Sequence, residues 1–354
     1  MEPFPGKVSS HLPLLADHFE RLPDSVLLLI FNKVQDIKSL GLCLSVSKRF
    51  FSLIPMVEDI LIKVDCVITD DEDPINSRTR GFLSHLLKMV MGSFVKSLEA
   101  FHKLVTPQKI RVSEVTHHSP VEVLKSFSSI RTLKIQLPNG ELGFGDGVLL
   151  KWRAEFGTSL ESCVILGASS VIEPGFVREK TRVSDDLDMA FYGEDESGTI
   201  PESFYINGGL KLRVVWTISS LIAASARHFV LQQIISEHPG LERLTVTDCD
   251  NQGILSMNSG QLSEIRVKPI SASASANRTQ VPALSMKLWY APYIELPNGM
   301  GFKGATLVFI RPSDRPMGKE EADQFVSMAF DGAYGEVARL LVKRKTYILE
   351  MNSF

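Results

Sequence analysis

The chain has 354 residues, enough for two or three domains at roughly 100–200 residues each. Hydrophobic residues make up 44% and charged residues 22%, the ordinary balance of a folded protein with a sizeable core. A net charge of −3 and a pI near 6.3 leave no broad electrostatic footprint for nucleic acid or an anionic membrane.

Pro5, His11, Pro13 and Asp17 interrupt the first residues, so no uninterrupted apolar core of a signal peptide is expected. Cys43, Cys66, Cys163 and Cys249 are scattered without a Cys-x-x-Cys pair. That spacing argues against a disulfide framework and a cysteine zinc site, and suits a reducing compartment. The expected location is the nucleus or cytoplasm.

From Arg21 to Ile54 the text reads as three short helices. Pro23 suits a first turn and Asp24 the positive end of the helix dipole. Val26, Leu27, Ile30, Phe31 and Val34 then fall on one stripe. Leu28 and Leu29 lie off it, so this helix is apolar nearly all round. Asp36 or Ser39 caps a second helix carrying Leu40, Cys43 and Leu44. Ser47 caps a third with Phe50, Leu53 and Ile54 inward. A module of about forty residues does not bury that much apolar surface alone and needs a partner.

The order Leu22-Pro23-Asp24, apolar helix, then Leu40-x-x-Cys43-x-x-Val46-Ser47-Lys48-x-Phe50-x-x-Leu53 resembles the F-box. One departure is Ile37-Lys38-Ser39, where the family often has an acidic residue. The resemblance implies a three-helix module over residues 18–65 that docks on a Skp-family adaptor. Through that adaptor it would meet a cullin and a RING subunit. The residues implied in that module are Leu22, Pro23, Asp24, Val26, Leu27, Leu28, Ile30, Phe31, Val34, Leu40, Cys43, Val46, Ser47, Lys48, Phe50 and Leu53, with Leu22, Pro23 and the outward apolar residues at the contact. The module performs no chemistry, so the chain is expected to be a non-catalytic substrate receptor without cofactor or metal.

An acidic linker is expected over 66–80, around Thr69–Pro74, and a recognition region over 81–354. Leu83 to Leu104 keeps helical spacing until Pro107 stops it. A weak repeat with apolar residues at positions 1, 4 and 6 follows: Ile130/Leu133/Ile135, Leu160/Cys163/Ile165, Leu241/Leu244/Val246 and Leu262/Ile265/Val267. The first three come after helix-like text: a capping box at Ser119 and Glu122, Leu149 to Phe156, and Val214 to Ile235. The last of these contains Arg227 and His228, which fits a buried helix better than a membrane span. Helix followed by Leu-x-x-Leu-x-Leu resembles a divergent leucine-rich repeat. Only the third copy reaches a cysteine, Cys249, at position 9. Ordinary αβ units of another layered fold are the competing reading.

The acidic stretch Ser184–Thr199 reads as a long loop, and Ser271–Asn277 as a low-complexity one. Strand-like text returns over Met286–Pro297 and Gly304–Pro312 around an Asn298-Gly299 turn, then two helices and a final strand near Lys345–Met351. The expected class is α+β: a three-helix F-box module, then an irregular α/β leucine-rich-repeat-like region. Gly143-Phe-Gly145-Asp-Gly147 lacks the lysine of a phosphate loop, and His117-His118 has no third ligand at a recognisable offset. Trp289, Tyr290 and Tyr293 are candidates for binding a target protein, since aromatics dominate binding hot spots. Their competing role is filling the core. Two other functions stay open: a small-molecule receptor, and an F-box protein acting outside a ligase.

Overall fold

The computed structural model describes residues 18–64, 124, 126–137, 147–174, 199–267, 279, 281–315 and 317–351. The linker at 66–80, the helix expected from Leu83, His117-His118, the Ser119/Glu122 capping box, residues 143–146, 184–198 and 271–277 lie outside these. Three helices open the described chain: α1 (Asp24–Val34), α2 (Ile37–Leu44) and α3 (Lys48–Leu53). The sequence writes their starts. The Asp36 carboxylate accepts from Ser39 N at 3.0 Å and from Ser39 Oγ at 2.7 Å, and Ser47 Oγ accepts from Phe50 N at 3.1 Å. Each satisfies an amide that the first turn of a helix leaves unpaired.

The remaining strands join one ten-stranded sheet. In chain order they are β1 (Asp59–Lys63), β2 (Thr132–Leu137), β3 (Leu149–Phe156), β4 (Leu160–Ala168), β5 (Ser170–Ile172), β6 (Arg243–Asp248), β7 (Gly253–Met257), β8 (Leu284–Glu295), β9 (Gly301–Pro312) and β10 (Tyr347–Met351). Their spatial order is β1-β2-β6-β7-β3-β4-β9-β8-β10, with β5 beside β9. The α+β expectation holds.

Two of the four repeat copies sit side by side as expected. β2 and β6 pair in parallel with Leu133 opposite Leu244 and Ile135 opposite Val246. A third copy precedes them: β1 pairs in parallel with β2 and sets Ile60 opposite Leu133 and Ile62 opposite Ile135. Val57, Ile130 and Leu241 fill position 1 in the three copies, and all nine side chains are buried. The other two copies differ. Leu160–Ile165 lies in β4, antiparallel to β3 and separated from β6 by β7 and β3. Leu262–Val267 is no strand at all but part of helix α5 (Ser259–Val267), with Val267 79% exposed. Asn258 and Gln261 cap each other reciprocally, Gln261 N to Asn258 Oδ1 at 3.1 Å and Asn258 N to Gln261 Oε1 at 2.8 Å, which starts a helix. Leu149–Phe156, expected as a helix, is strand β3. Its burial alternates, and only period two puts Leu150, Trp152, Ala154 and Phe156 on one face.

Helix α4 (Gly209–Glu237) packs on one face of the sheet. Its Trp216, Leu221 and Leu231 share a cluster with Trp152, Phe156 and Ile165. It is long and apolar enough to cross a membrane by length and composition, and it is mostly buried. Helices α6 (Lys319–Ser327) and α7 (Gly332–Leu341) cover the other face. Their Val326, Val337 and Leu341 meet Leu166, Trp289 and Leu307. Strands β4, β8 and β9 are covered on both sides, which explains their near-continuous apolar text. Arg227 of α4 pairs with Asp248 at the end of β6, both buried. Its Nη1 donates to Gly253 O at 3.0 Å, and Asp248 Oδ2 accepts from Gly253 N at 2.7 Å. Burying these charges is tolerable because each is paired and hydrogen-bonded.

Candidate functional site

The three opening helices share the core cluster of the sheet: Leu27, Phe31, Leu40, Leu53 and Ile54 belong with Ile60, Leu133 and Leu244. Polar bonds tie them to it as well. Asn32 Oδ1 of α1 accepts from Glu58 N at 2.9 Å and Asp59 N at 3.2 Å, and Gln35 O accepts from Leu61 N at 2.8 Å. The outer edge of β1 is thereby closed by α1.

Burial splits the apolar text of α1. The stripe expected from Val26 to Val34 divides, with Leu27 and Phe31 facing in and Val26, Ile30 and Val34 exposed. Leu29, 65% exposed, joins the outer three. At 100° per residue Val26, Leu29, Ile30 and Val34 make one continuous face. Leu28 is half-buried against the core. Pro23 is exposed at the N-cap position of α1, Asp24 is exposed in its first turn, and Leu22 is half-buried before them. In α2 Leu40 is buried and Cys43 half-buried, while Val46 beyond its end is 67% exposed. Ser47 caps α3, Lys48 is exposed, Leu53 is buried, and half-buried Phe50 meets Phe31 edge-on at 5.1 Å. Leu42 and Phe51 are exposed apolar residues that the motif did not single out. Their signal was that they lie off the inward spacing of α2 and α3. Exposed apolar side chains in this number on three short helices are not the ordinary surface of a monomer.

Arg49 is the polar residue that sequence reasoning missed. From α3 it donates Nη1 to Phe19 O at 2.9 Å, Nη2 to Leu22 O at 2.5 Å, and Nε to Asp24 Oδ1 at 2.8 Å. The guanidinium fork reads one short segment of backbone and holds it against α3.

The three aromatics proposed for target binding fall in different places. Trp289 is fully buried under α6 and α7. Tyr290 faces the opposite side, edge-on to Phe204 at 5.2 Å and 4.8 Å from the Arg213 guanidinium. Burial gives both the core-filling role instead, because alternate residues of a strand covered on two sides both point inward. Tyr293 is half-exposed.

The sheet face opposite α4 is polar along β2, β6, β7 and β3, where Lys134, Thr245, Ser256 and Glu155 form one row. Partial burial pushes the Glu155 carboxyl up from its ordinary value. His228 lies on the other side, stacked on Phe156 at 4.6 Å with Nδ1 2.8 Å from Thr279 Oγ1. Burial lowers its pKa to about 4, opposed by a backbone hydrogen bond with Gly157. Among the described residues no three His, Cys, Asp or Glu side chains converge as a metal site would need.

The chain is similar along nearly its whole length to three proteins of Arabidopsis thaliana. It is 51% identical to F-box protein At5g46170 over 99% of this chain and 98% of that one. It is 54% identical to F-box protein At4g18380 over 97% and 95% of the two chains. A more distant relative, F-box protein AUF1, is 33% identical over 96% of this chain and 100% of its own. No family model matches the chain, and no solved structure matches it.

Proposed function

The chain belongs to the F-box protein family of these plant relatives, and from that premise we propose that it is the substrate-recruiting subunit of a cullin-RING ubiquitin ligase. The observation that carries the proposal is the exposed apolar face of α1, Val26, Leu29, Ile30 and Val34, next to Leu22-Pro23 on a module whose own core is already filled. Such a face is suited to burial against a Skp-family adaptor, which connects to the cullin and RING subunits. The chain itself supplies no catalytic group in this role. Fixing a target beside the ubiquitin-loaded enzyme raises the effective concentration of its lysines, so acceleration comes from proximity. The region after the three helices holds the target, and the nucleus or cytoplasm is where this happens.

Capture of purified Skp-family adaptor by the full chain tests the reading. Replacing Leu22 and Pro23 together by alanine removes contact surface while leaving Leu27 and Phe31 in the core, so capture is lost and the circular dichroism spectrum is kept. Undiminished capture by a folded double variant overturns the adaptor assignment.

A further inference from the structure

The two faces of the sheet are finished differently. Helix α4 fills the face that carries Leu133, Leu244 and Trp152, and α6 and α7 cover the opposite face over β4, β9 and β8. These two helices reach β3 only at its start, where Leu149 joins their cluster and Lys151 Nζ lies 4.8 Å from the Tyr334 ring. Over β2, β6 and β7 no described helix packs on that opposite face. Its floor there is small and mostly polar: Thr245 and Ser256 in one cross-strand row, Gln136 and Thr247 beside Ile254 in the next. Bases stand on both sides of the floor. Lys63, Lys134 and Arg243, all exposed, lie on β1, β2 and β6, and half-buried Arg153 and Arg311 lie on β3 and β9. None of these side chains has a hydrogen bond or ion pair among the described residues, and Arg311 Nε is buried without a partner.

The surrounding charges narrow the occupant. On the same face Lys151 is held by Asp250 O and Asn251 O, and the acids are Asp59 and Glu155. Glu155 lies in the field of Arg153 and Arg311, but burial outweighs them and disfavours its charged form. At the rim Glu58 and Glu242 share Arg131 at 3.4 and 3.2 Å, and Glu161 lies 3.8 Å from Arg315, with Asp314 next to it in the chain. The rim is therefore acidic overall, and the positive charge is confined to the middle of the face. Glu350 stands two strands beyond Arg311, and Glu320 and Glu321 open α6, whose start is held by Lys287 of β8. Lys134 and Glu155 are three strand spacings apart, about 14 Å, which exceeds a screening length of about 8 Å at physiological salt. One small anion does not satisfy both sides. A long phosphate backbone would run onto the acidic rim, whereas a short run of carboxylates stays within the basic middle.

We propose that this face is the docking surface for a short acidic segment of the target protein, with its carboxylates taken by Lys134 and Arg243 on one side and by Arg153 and Arg311 on the other. Guanidinium forks match carboxylates bidentately, and the partner supplies the acceptor that Arg311 lacks. The hydroxyls of Thr245 and Ser256 leave room between the two sides for the segment's backbone. The inference rests on the reading of this chain as a substrate receptor and names the kind of target segment it takes.

The test uses the full chain at physiological salt and a short fluorescent peptide of alternating glutamate and serine. A lysine–serine peptide of the same length and a DNA oligonucleotide of the same charge serve as comparators. The glutamate peptide binds, and the two comparators bind about tenfold or more weakly. Lys134→Glu with Arg243→Glu weakens the glutamate peptide by about tenfold or more, since like charges then face each other. Both side chains are exposed, so this variant keeps the wild-type melting temperature. Arg153→Gln with Arg311→Gln weakens the same peptide, with melting followed on the same samples. Lys343→Glu with Arg344→Glu makes an equal change of charge at exposed positions away from this face and leaves binding as it was. Lack of binding by the glutamate peptide overturns the proposal, as does an equal loss in the Lys343/Arg344 variant or binding that ignores Lys134 and Arg243. Tighter binding of the oligonucleotide overturns it too. Adaptor capture is measured in parallel. Capture without peptide binding removes this inference and leaves the receptor reading, and peptide binding without capture does the reverse.

Discussion

Arg49 and Asp24, 25 residues apart, are joined across α3 and α1 by Nε and Nη2 of the guanidinium, at 2.8 and 2.5 Å from one carboxylate oxygen. The pair alone is exposed and contributes little. The same side chain also takes the carbonyls of Phe19 and Leu22, so it fixes the path by which Leu22 and Pro23 enter α1. Arg49→Ala is expected to cost on the order of 1–3 kcal/mol in unfolding free energy, because hydrogen bonds to a charged group are lost together. Adaptor affinity falls by about tenfold in the same variant, and Arg49→Lys rescues little, since an ammonium lacks the planar fork. Titration of wild-type and both variants with purified adaptor measures this. Full rescue by lysine would mean that charge, rather than the fork, is what matters.

The parallel ladder gives a second expectation. Leu244 is fully buried inside the cross-strand row Ile60, Leu133, Leu244, Met257. Leu244→Ala removes methyl groups from a site walled by strands on both sides, where collapse is limited. The cost is about 2–5 kcal/mol, read as a lower urea midpoint with unchanged slope. Since the three helices share this core, the variant also lowers the folded fraction able to capture adaptor.

How much of this was legible follows from particular residues. Helices α2 and α3 were readable because their caps, Asp36 and Ser47, are the residues that bind first-turn amides, and they do so here; α1 was readable from Pro23 and Asp24 at its start. The inside and outside of α1 were not. With apolar residues at Val26 through Phe31 periodicity does not choose, and tertiary packing selects Leu27 and Phe31. The copy Val57/Ile60/Ile62 escaped notice because it stands directly after α3 and reads as part of the helical module. Leu262/Ile265 matched the repeat for a simple reason: positions three apart are neighbours on a helix as well as members of the motif. There the Asn258/Gln261 cap was the deciding text. Leu149–Phe156 carried its answer in alternation that the expected helix–strand rhythm overrode.

The aromatic pair on β8 gives a third expectation. Trp289 and Tyr290 point to opposite faces, into separate apolar clusters. Trp289→Ala leaves a large void beneath α6 and α7 and costs about 3–5 kcal/mol. Tyr290→Phe, by contrast, loses only the 3.3 Å contact of its hydroxyl with Ser203 and keeps the ring on Phe204, so its effect is within about 1 kcal/mol. Calorimetric melting of the two variants separates them. A target-binding role for Trp289 would instead appear as lost capture at an unchanged melting temperature.

His228 makes stability depend on pH. Its folded pKa, lowered to about 4 mainly by burial, lies below the ordinary value of 6.5. Between those values the unfolded chain binds a proton there that the folded chain does not, so its contribution is full above about pH 6.5 and is lost as pH falls toward 4. A tenfold change in proton affinity is worth about 1.4 kcal/mol, which makes the whole effect on the order of 3 kcal/mol. His238, half-buried and also lowered by burial, acts in the same direction. Glu155, raised by burial, acts in the opposite one, contributing below its ordinary value and losing that contribution as pH rises through the folded one. The difference between wild-type and His228→Gln therefore isolates the single group. Urea midpoints taken from pH 7 to pH 4.5 are expected to fall more steeply for wild-type than for the variant, even though the variant is the less stable at pH 7 through loss of the Phe156 stack. Parallel curves would show that the imidazole is charged inside the folded protein, with Thr279 and Gln232 able to solvate it.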